Sequence, residues 1–385
     1  TTHAPPLNFT MVVPSAAKRS RKPRRSRNAD ILAVIAVTVI SVGAAWLITL
    51  TILNRNSSTE IKIKPDSANA PAIMDTVAVA GDTTGGALPT KTHGELHLSA
   101  KDMLGTPHIM YGTAWKKDET ATLVLQAIHA GFRFIDTACQ PKHYDETGVG
   151  YGWKWGAEQL GLKREDIFLQ TKFTAIGGQD RNDVPYDAHA ELEDQVRQSV
   201  ITSLRNLQTE YIDSLVLHSP METMDETMRV WKVLEIFVDE GQIKQLGISN
   251  CYDPMQFQRL YQQVKVKPKV LQNRFYKKSN FDVELRKICK SLGVEYQSFW
   301  TLSANVKALA SRDWKAVARS KGLSPETLMY AFMMTLGHTP LSGTKDGGHM
   351  GEDVDVMLAF QQGEEILDGK DMSRLSSLLG IKLLL

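Results

Sequence analysis

Three apolar runs end in groups that can do chemistry: FRFID stops at Asp136, IFLQTK at Lys172 and IDSLVLH at His218. A fourth group, Tyr144, follows Asp136 by eight residues in the polar stretch TACQPKHYDETG. Two chemistries suit this set. One is metal-assisted hydrolysis, in which an Asp, a modified Lys and a His act as ligands. Such sites commonly take further histidines from the first strand, and His108 stands at the beginning of that run, the wrong end. The other is proton donation by a tyrosine. A free phenol, with a pKa of ~10, is a poor acid near neutrality, but a close ammonium stabilises the phenolate and lowers that value. Lys172 would supply the charge, Asp136 would hold and aim it, and Tyr144 would be the general acid, with its neighbour His143 as a competitor.

Those residues need a scaffold that brings run ends together. From about residue 95 onward, short β-branched runs alternate with amphipathic stretches, and eight strands are predicted: 108–114, 132–136, 167–172, 212–218, 243–249, 269–273, 294–299 and 339–344. Helical spacing is clear in 190–208, where Leu192, Val196, Val200 and Leu204 recur every four residues, and in 223–241, which opens on a Thr cap and closes at Gly241. Nearly continuous apolar strands separated by helices imply a parallel α/β sheet, and eight is the number that closes it into a (β/α)8, or TIM, barrel. Such a barrel gathers its chemistry at the C-terminal strand ends. The fifth and sixth runs then contribute Ser249-Asn250 and Gln272-Asn273. An open doubly wound sheet is the alternative, but the GxGxG at Gly148 to Gly152 follows a loop instead of the first strand, so it matches a phosphate-binding turn poorly.

With these residues in place, region 95–380 resembles the aldo/keto reductase superfamily. GTAW, DTACQPKHY, LQTKF, SLVLHSP, GISN, LQNRFY and TPLSGT occur in that family's order and spacing, and DTACQPKHY looks like a fungal-type subgroup. The resemblance implies a catalytic set of Asp136, Tyr144, Lys172 and His218, and a nicotinamide carboxamide held by Ser249, Asn250 and Gln272. It further implies phosphate contacts from Ser342 and Thr344, adenine-end contacts from Glu352 and Asp353, and Gln297 where many members stack a tyrosine on the nicotinamide. Trp115, Phe173, Phe299 and Trp300 are expected to wall an apolar substrate pocket. NADPH is the implied cofactor, with NADH as the alternative, because Leu341 and His349 stand where the family carries a Lys and an Arg, leaving Lys345 as a point charge. The implied reaction, reduction of an aldehyde or ketone, needs no metal. A cofactor-binding regulatory or scaffold barrel with weak or no catalysis is the competing reading.

The N-terminal quarter reads differently. Residues 1–30 form a basic tail with seven Lys or Arg in 18–27, and residues 31–53 are uncharged and apolar over the ~20 residues a bilayer crossing needs. One transmembrane helix is therefore predicted. The charge asymmetry puts the N-terminus in the cytoplasm of a secretory or organellar membrane, with an Arg/Ser-rich transit segment as the alternative. Residues 54–94, rich in Gly, Pro, Ser and Thr, read as a flexible linker that includes the glycosylation triplet Asn56-Ser57-Ser58, and 95–385 as the barrel. The chain opens on Thr1, so a natural start upstream is expected. A net charge of +2 over 385 residues argues against a nucleic-acid partner. Three scattered cysteines exclude a disulfide framework or a readable zinc site.

Overall fold

The computed structural model describes residues 10–11, 34–42, 45–54, 57–63, 99–106 and 108–381. Two compact units divide the chain, residues 1–86 and 87–385. In the first, Val34–Val42 pairs antiparallel with Ala45–Asn54, from Val34 opposite Leu53 to Val42 opposite Ala45, and Ser57–Ile63 adds a further antiparallel strand. This corrects the expected transmembrane helix over 31–53. The physical reason lies in side-chain shape: seven of the nine residues in Val34–Val42 (VIAVTVISV) are β-branched, which restricts χ1 in a helix and suits an extended chain. Among the described residues no helix is long and apolar enough to cross a membrane. Ser57–Ile63 also takes part of the expected linker into the sheet. The rest of the basic tail, Asn56 of the glycosylation triplet and residues 64–94 lie outside the described residues.

In the second unit eight parallel strands close into a barrel, as expected. They are β1 (Met110–Gly112), β2 (Phe134–Asp136), β3 (Phe168–Phe173), β4 (Ile212–Leu217), β5 (Ile243–Ser249), β6 (Val270–Arg274), β7 (Glu295–Phe299) and β8 (Thr339–Ser342). The outer helices used below are α1 (Thr120–Ala130), α2 (Glu146–Leu160), α3 (Leu192–Asn206), α4 (Met224–Asp239), α5 (Pro254–Gln263), α6 (Val283–Leu292), α7 (Pro325–Thr335) and α8 (Gly347–Gln361). Several begin as the sequence dictates. Thr223 and Glu226 form a reciprocal capping box on α4, and Asp253 followed by Pro254 opens α5.

Gly150, Gly152 and Gly156 on α2 pack against α1 and the end of α3. A Cβ on Gly150 would run into the Asn206 carbonyl, one on Gly152 would sit 2.7 Å from Val124 Cβ, and one on Gly156 would sit 2.8 Å from Ile128 Cγ2. The glycine repeat therefore serves close helix packing.

Candidate active site

Asp136 and Lys172 meet inside the barrel because parallel pairing sets Gly112 opposite Asp136 and Asp136 opposite Gln170, and the pleat returns Lys172 to the same inward face. Lys172 Nζ donates to both carboxylate oxygens at 2.7 Å and to the Thr137 carbonyl at 2.8 Å, so all three ammonium protons are used. Asp136 Oδ1 also accepts from Gln170 Nε2 at 2.8 Å and Gln272 Nε2 at 2.9 Å. Both glutamines then share the Gln297 side-chain carbonyl, at 2.6 and 3.0 Å. The result is a buried polar plug of one ion pair and three amides, nearly satisfied internally.

Tyr144 reaches this plug from above. The main chain turns at Gln140, whose carbonyl accepts from the His143 and Tyr144 amides at 3.0 Å each, and Asp145 then caps α2 through the Gly148 amide. That turn takes up part of the eight-residue spacing from Asp136. Lys172 Nζ comes 5.3 Å from the centre of the Tyr144 ring, and the Tyr144 and His218 rings are 6.1 Å apart, edge to face. Among the described residues neither the Tyr144 hydroxyl nor His218 Nε2 has a hydrogen-bonding partner, and both side chains line one cavity of about 640 Å³. His218 Nδ1 lies 2.6 Å from Thr174 Oγ1. With Thr174 as the donor, the imidazole hydrogen sits on Nε2.

Burial and then the charges of Lys172 and His143 lower the pKa of His218 to about 3, so its imidazole is neutral at physiological pH. The phenol of Tyr144 moves the other way from expectation. Burial, reinforced by the Asp136 charge, raises its pKa above the ordinary value. The ammonium expected to lower it is engaged by Asp136 and Thr137, and burial lowers its own pKa against the opposing pull of Asp136. Resting Tyr144 is thus a protonated donor. His143 stands at the rim with its ring 3.9 Å from that of Trp115 and its Nδ1 2.9 Å from the Lys142 carbonyl.

The cavity is also lined by Trp115, Ser249, Asn250, Gln272, Phe299, Trp300, Ser342, Thr344, Glu352 and Asp353, as well as Leu341 and His349. Two expected members are elsewhere. Phe173 follows Lys172 by one residue, so the pleat turns it outward, where it is buried 5.9 Å from the Tyr186 ring. Gln297 is one layer down inside the plug, and Phe299, two residues further along β7, is the ring that reaches the cavity. Lys345 is not aimed at the site either: it pairs with Glu119 at 2.7 Å. Trp115 and Trp300 both adopt left-handed backbone, at φ 65° and 55°, as they turn from their strands over the cavity.

At the floor Ser249 Oγ donates to the Gln272 main-chain carbonyl at 2.6 Å, and Asn250 Nδ2 to the His218 carbonyl at 2.9 Å. Gln272 spends its amide protons on the plug, and its Oε1 accepts nothing from a described residue. Further out, α7 and α8 contribute Glu326, Glu352 and Asp353. Asp353 accepts from Ser342 Oγ at 2.7 Å and Glu352 from Thr327 Oγ1 at 3.3 Å. Burial and then the Glu352 charge, against the Ser342 bond, raise the Asp353 carboxyl to about 7. Sequence reasoning missed Gln170, Arg274, Glu326 and Tyr330; the first two lie at alternate positions with Lys172 and Gln272, and that period-two signal was available.

Known proteins resemble this chain in sequence and fold. The model of the aldo/keto reductase family matches residues 103–368. An uncharacterized oxidoreductase of Saccharomyces cerevisiae is 28% identical over 251 residues, covering 62% of this chain and 80% of the relative. A glyoxal reductase of Bacillus subtilis is 29% identical over 186 residues, covering 47% of this chain and 58% of the relative. Among solved structures, an aldo/keto reductase from Brucella melitensis superposes with a TM-score of 0.58 at 25% identity, covering 70% of this chain and 94% of that one.

Proposed function

The chain belongs to the aldo/keto reductase family, and from that premise we propose that it reduces a small aldehyde or ketone with NAD(P)H, with Tyr144 as proton donor. The observation that carries this reading is the pair of unpartnered groups, the Tyr144 hydroxyl and His218 Nε2, lining one cavity above the Asp136–Lys172 pair. The similarity to a glyoxal reductase supports a carbonyl substrate.

A bound reduced nicotinamide would supply the hydride. Ser249, Asn250 and Gln272 would hold its carboxamide, and the free Gln272 Oε1 is an acceptor suited to an amide N–H. Neutral His218, with hydrogen on Nε2, donates to the substrate carbonyl oxygen and polarises it. With a hydride delivered to carbon, the Tyr144 hydroxyl proton would move to that oxygen, leaving a phenolate whose ring centre lies 5.3 Å from Lys172 Nζ. Trp115, Phe299 and Trp300 keep the substrate's apolar part from water. Glu326, Glu352 and Asp353 oppose a further phosphate on the nucleotide, which supports NADH binding at least as tight as NADPH.

The test is oxidation of NADH and NADPH by the full chain with an aldehyde panel. Tyr144→Phe is expected to lose ~10²–10⁴-fold in rate, with His143→Ala close to wild type. Equal rates for wild type and Tyr144→Phe would refute the reading. A loss in His143→Ala as large as in Tyr144→Phe would move the donor to His143.

A further inference from the structure

Arg274 ends β6 and lines the cavity. Its guanidinium carbon lies 3.7 Å from the centre of the Trp300 ring, with the Tyr276 and Phe299 rings at 5.3 and 5.7 Å. Its Nε is buried without a partner. Among the described residues no group accepts a hydrogen bond from any guanidinium nitrogen, and no carboxylate oxygen lies within 4.0 Å. The one hydrogen bond that Arg274 donates comes from its main-chain amide, to Tyr252 Oη at 3.2 Å. Two other arginines of the barrel have carboxylate partners. Arg229 is bidentate on Glu193 at 2.7 and 2.8 Å, and Arg164 reaches Asp213 at 2.7 Å along with the Ile167 and Tyr211 carbonyls.

A guanidinium stays charged at any accessible pH, so withdrawing it from water without an acceptor is costly. Stacking on Trp300 occupies its face and leaves its edge, which carries the N–H bonds. That edge matches two oxygens of a carboxylate or phosphate. Two other cations lie near the site: Lys172 is neutralised by Asp136, and Lys116 is engaged by the Gly343 and Thr344 carbonyls.

We propose that Arg274, held flat by Trp300, is the anchor for an oxyanion, carboxylate or phosphate, on a molecule bound in this cavity. Two sources carry that chemistry: a carboxylate on the carbonyl substrate, or the diphosphate of the dinucleotide. The substrate arm rests on the reductase reading; equilibrium binding does not.

The full chain, Arg274→Gln and Arg274→Lys are compared in two measurements. The first is the KM for 4-carboxybenzaldehyde against its neutral methyl ester. The second is tryptophan fluorescence, to which Trp300 contributes, during titration with benzoate, inorganic pyrophosphate and NADH. If the anion is the substrate's, Arg274→Gln raises KM for the carboxylate roughly ten- to a hundredfold, leaves the ester and kcat nearly unchanged, and weakens benzoate binding. If it is the dinucleotide's, the same variant weakens pyrophosphate and NADH while the carboxylate-to-ester ratio holds. Arg274→Lys, retaining charge without the fork, recovers part of either loss. Should no aldehyde be reduced by any of the proteins, the reductase reading fails, and weaker benzoate or pyrophosphate binding by Arg274→Gln still supports the anchor. Unchanged KM ratio and unchanged binding of all three titrants in both variants would overturn it.

Discussion

The Asp136–Lys172 pair offers the sharpest test of how the site is built. Both side chains are nearly inaccessible, at 3% and 1% of their free exposure, so neither charge has water to fall back on. Lys172→Met leaves a buried carboxylate with only Gln170 and Gln272 as donors, and Asp136→Asn leaves a buried ammonium with little but carbonyl acceptors. Breaking a buried pair from one side costs about 3–5 kcal/mol. If the two losses were independent, the double variant would lose about 6–10 kcal/mol on that scale. They are not independent in this structure, because in the double variant the side-chain amide oxygen introduced by Asp136→Asn would keep both glutamine bonds and no charge would be stranded. The double variant is therefore expected to lose about 3–5 kcal/mol, a coupling of about 3–5 kcal/mol. Urea unfolding of all four proteins at pH 7 measures it. A double-variant loss equal to the sum of the single losses, within about 0.5 kcal/mol, would refute the reasoning that the plug acts as one unit.

Further consequences concern pH and packing. His338, 3.1 Å from Arg286 and buried, has its pKa lowered from 6.5 to about 3, chiefly by burial. Below pH 6.5 the unfolded chain therefore binds a proton that the folded chain refuses, and stability is lost as pH falls. His338→Gln should remove about 1 kcal/mol of the wild-type loss between pH 6.5 and 5.5, read as the difference between two urea titrations. The Asp353 carboxyl, raised to about 7, is neutral below that pH and charged above it. NADPH affinity relative to NADH should accordingly fall from pH 6 to 8 in wild type and stay flat in Asp353→Asn, measured by nicotinamide fluorescence; parallel curves would remove Asp353 from the nucleotide site. Gly150→Ala drives a Cβ into the Asn206 carbonyl and should cost about 1–3 kcal/mol in urea unfolding despite alanine's better helix propensity.

Much of this molecule is legible in the chain order of its residues. Local alternation and capping depend on near neighbours, so all eight barrel strands, the α4 capping box and the ends carrying Asp136, Lys172 and His218 can be read directly. The N-terminal apolar stretch shows the limit of the same reading: length and hydrophobicity suit a bilayer-spanning helix, whereas the β-branched shape of Val34–Val42 accompanies antiparallel pairing. Tertiary structure decided what no local pattern contains. It set Phe173 outward and Gln297 into the barrel, placed Phe299 at the cavity, and spent the Lys172 ammonium on Asp136 and Thr137 so that burial governs the Tyr144 phenol. It also left the Arg274 guanidinium stacked and, among the described residues, unpaired. Each of these outcomes depends on which distant groups share one desolvated space, and residue spacing alone does not specify that.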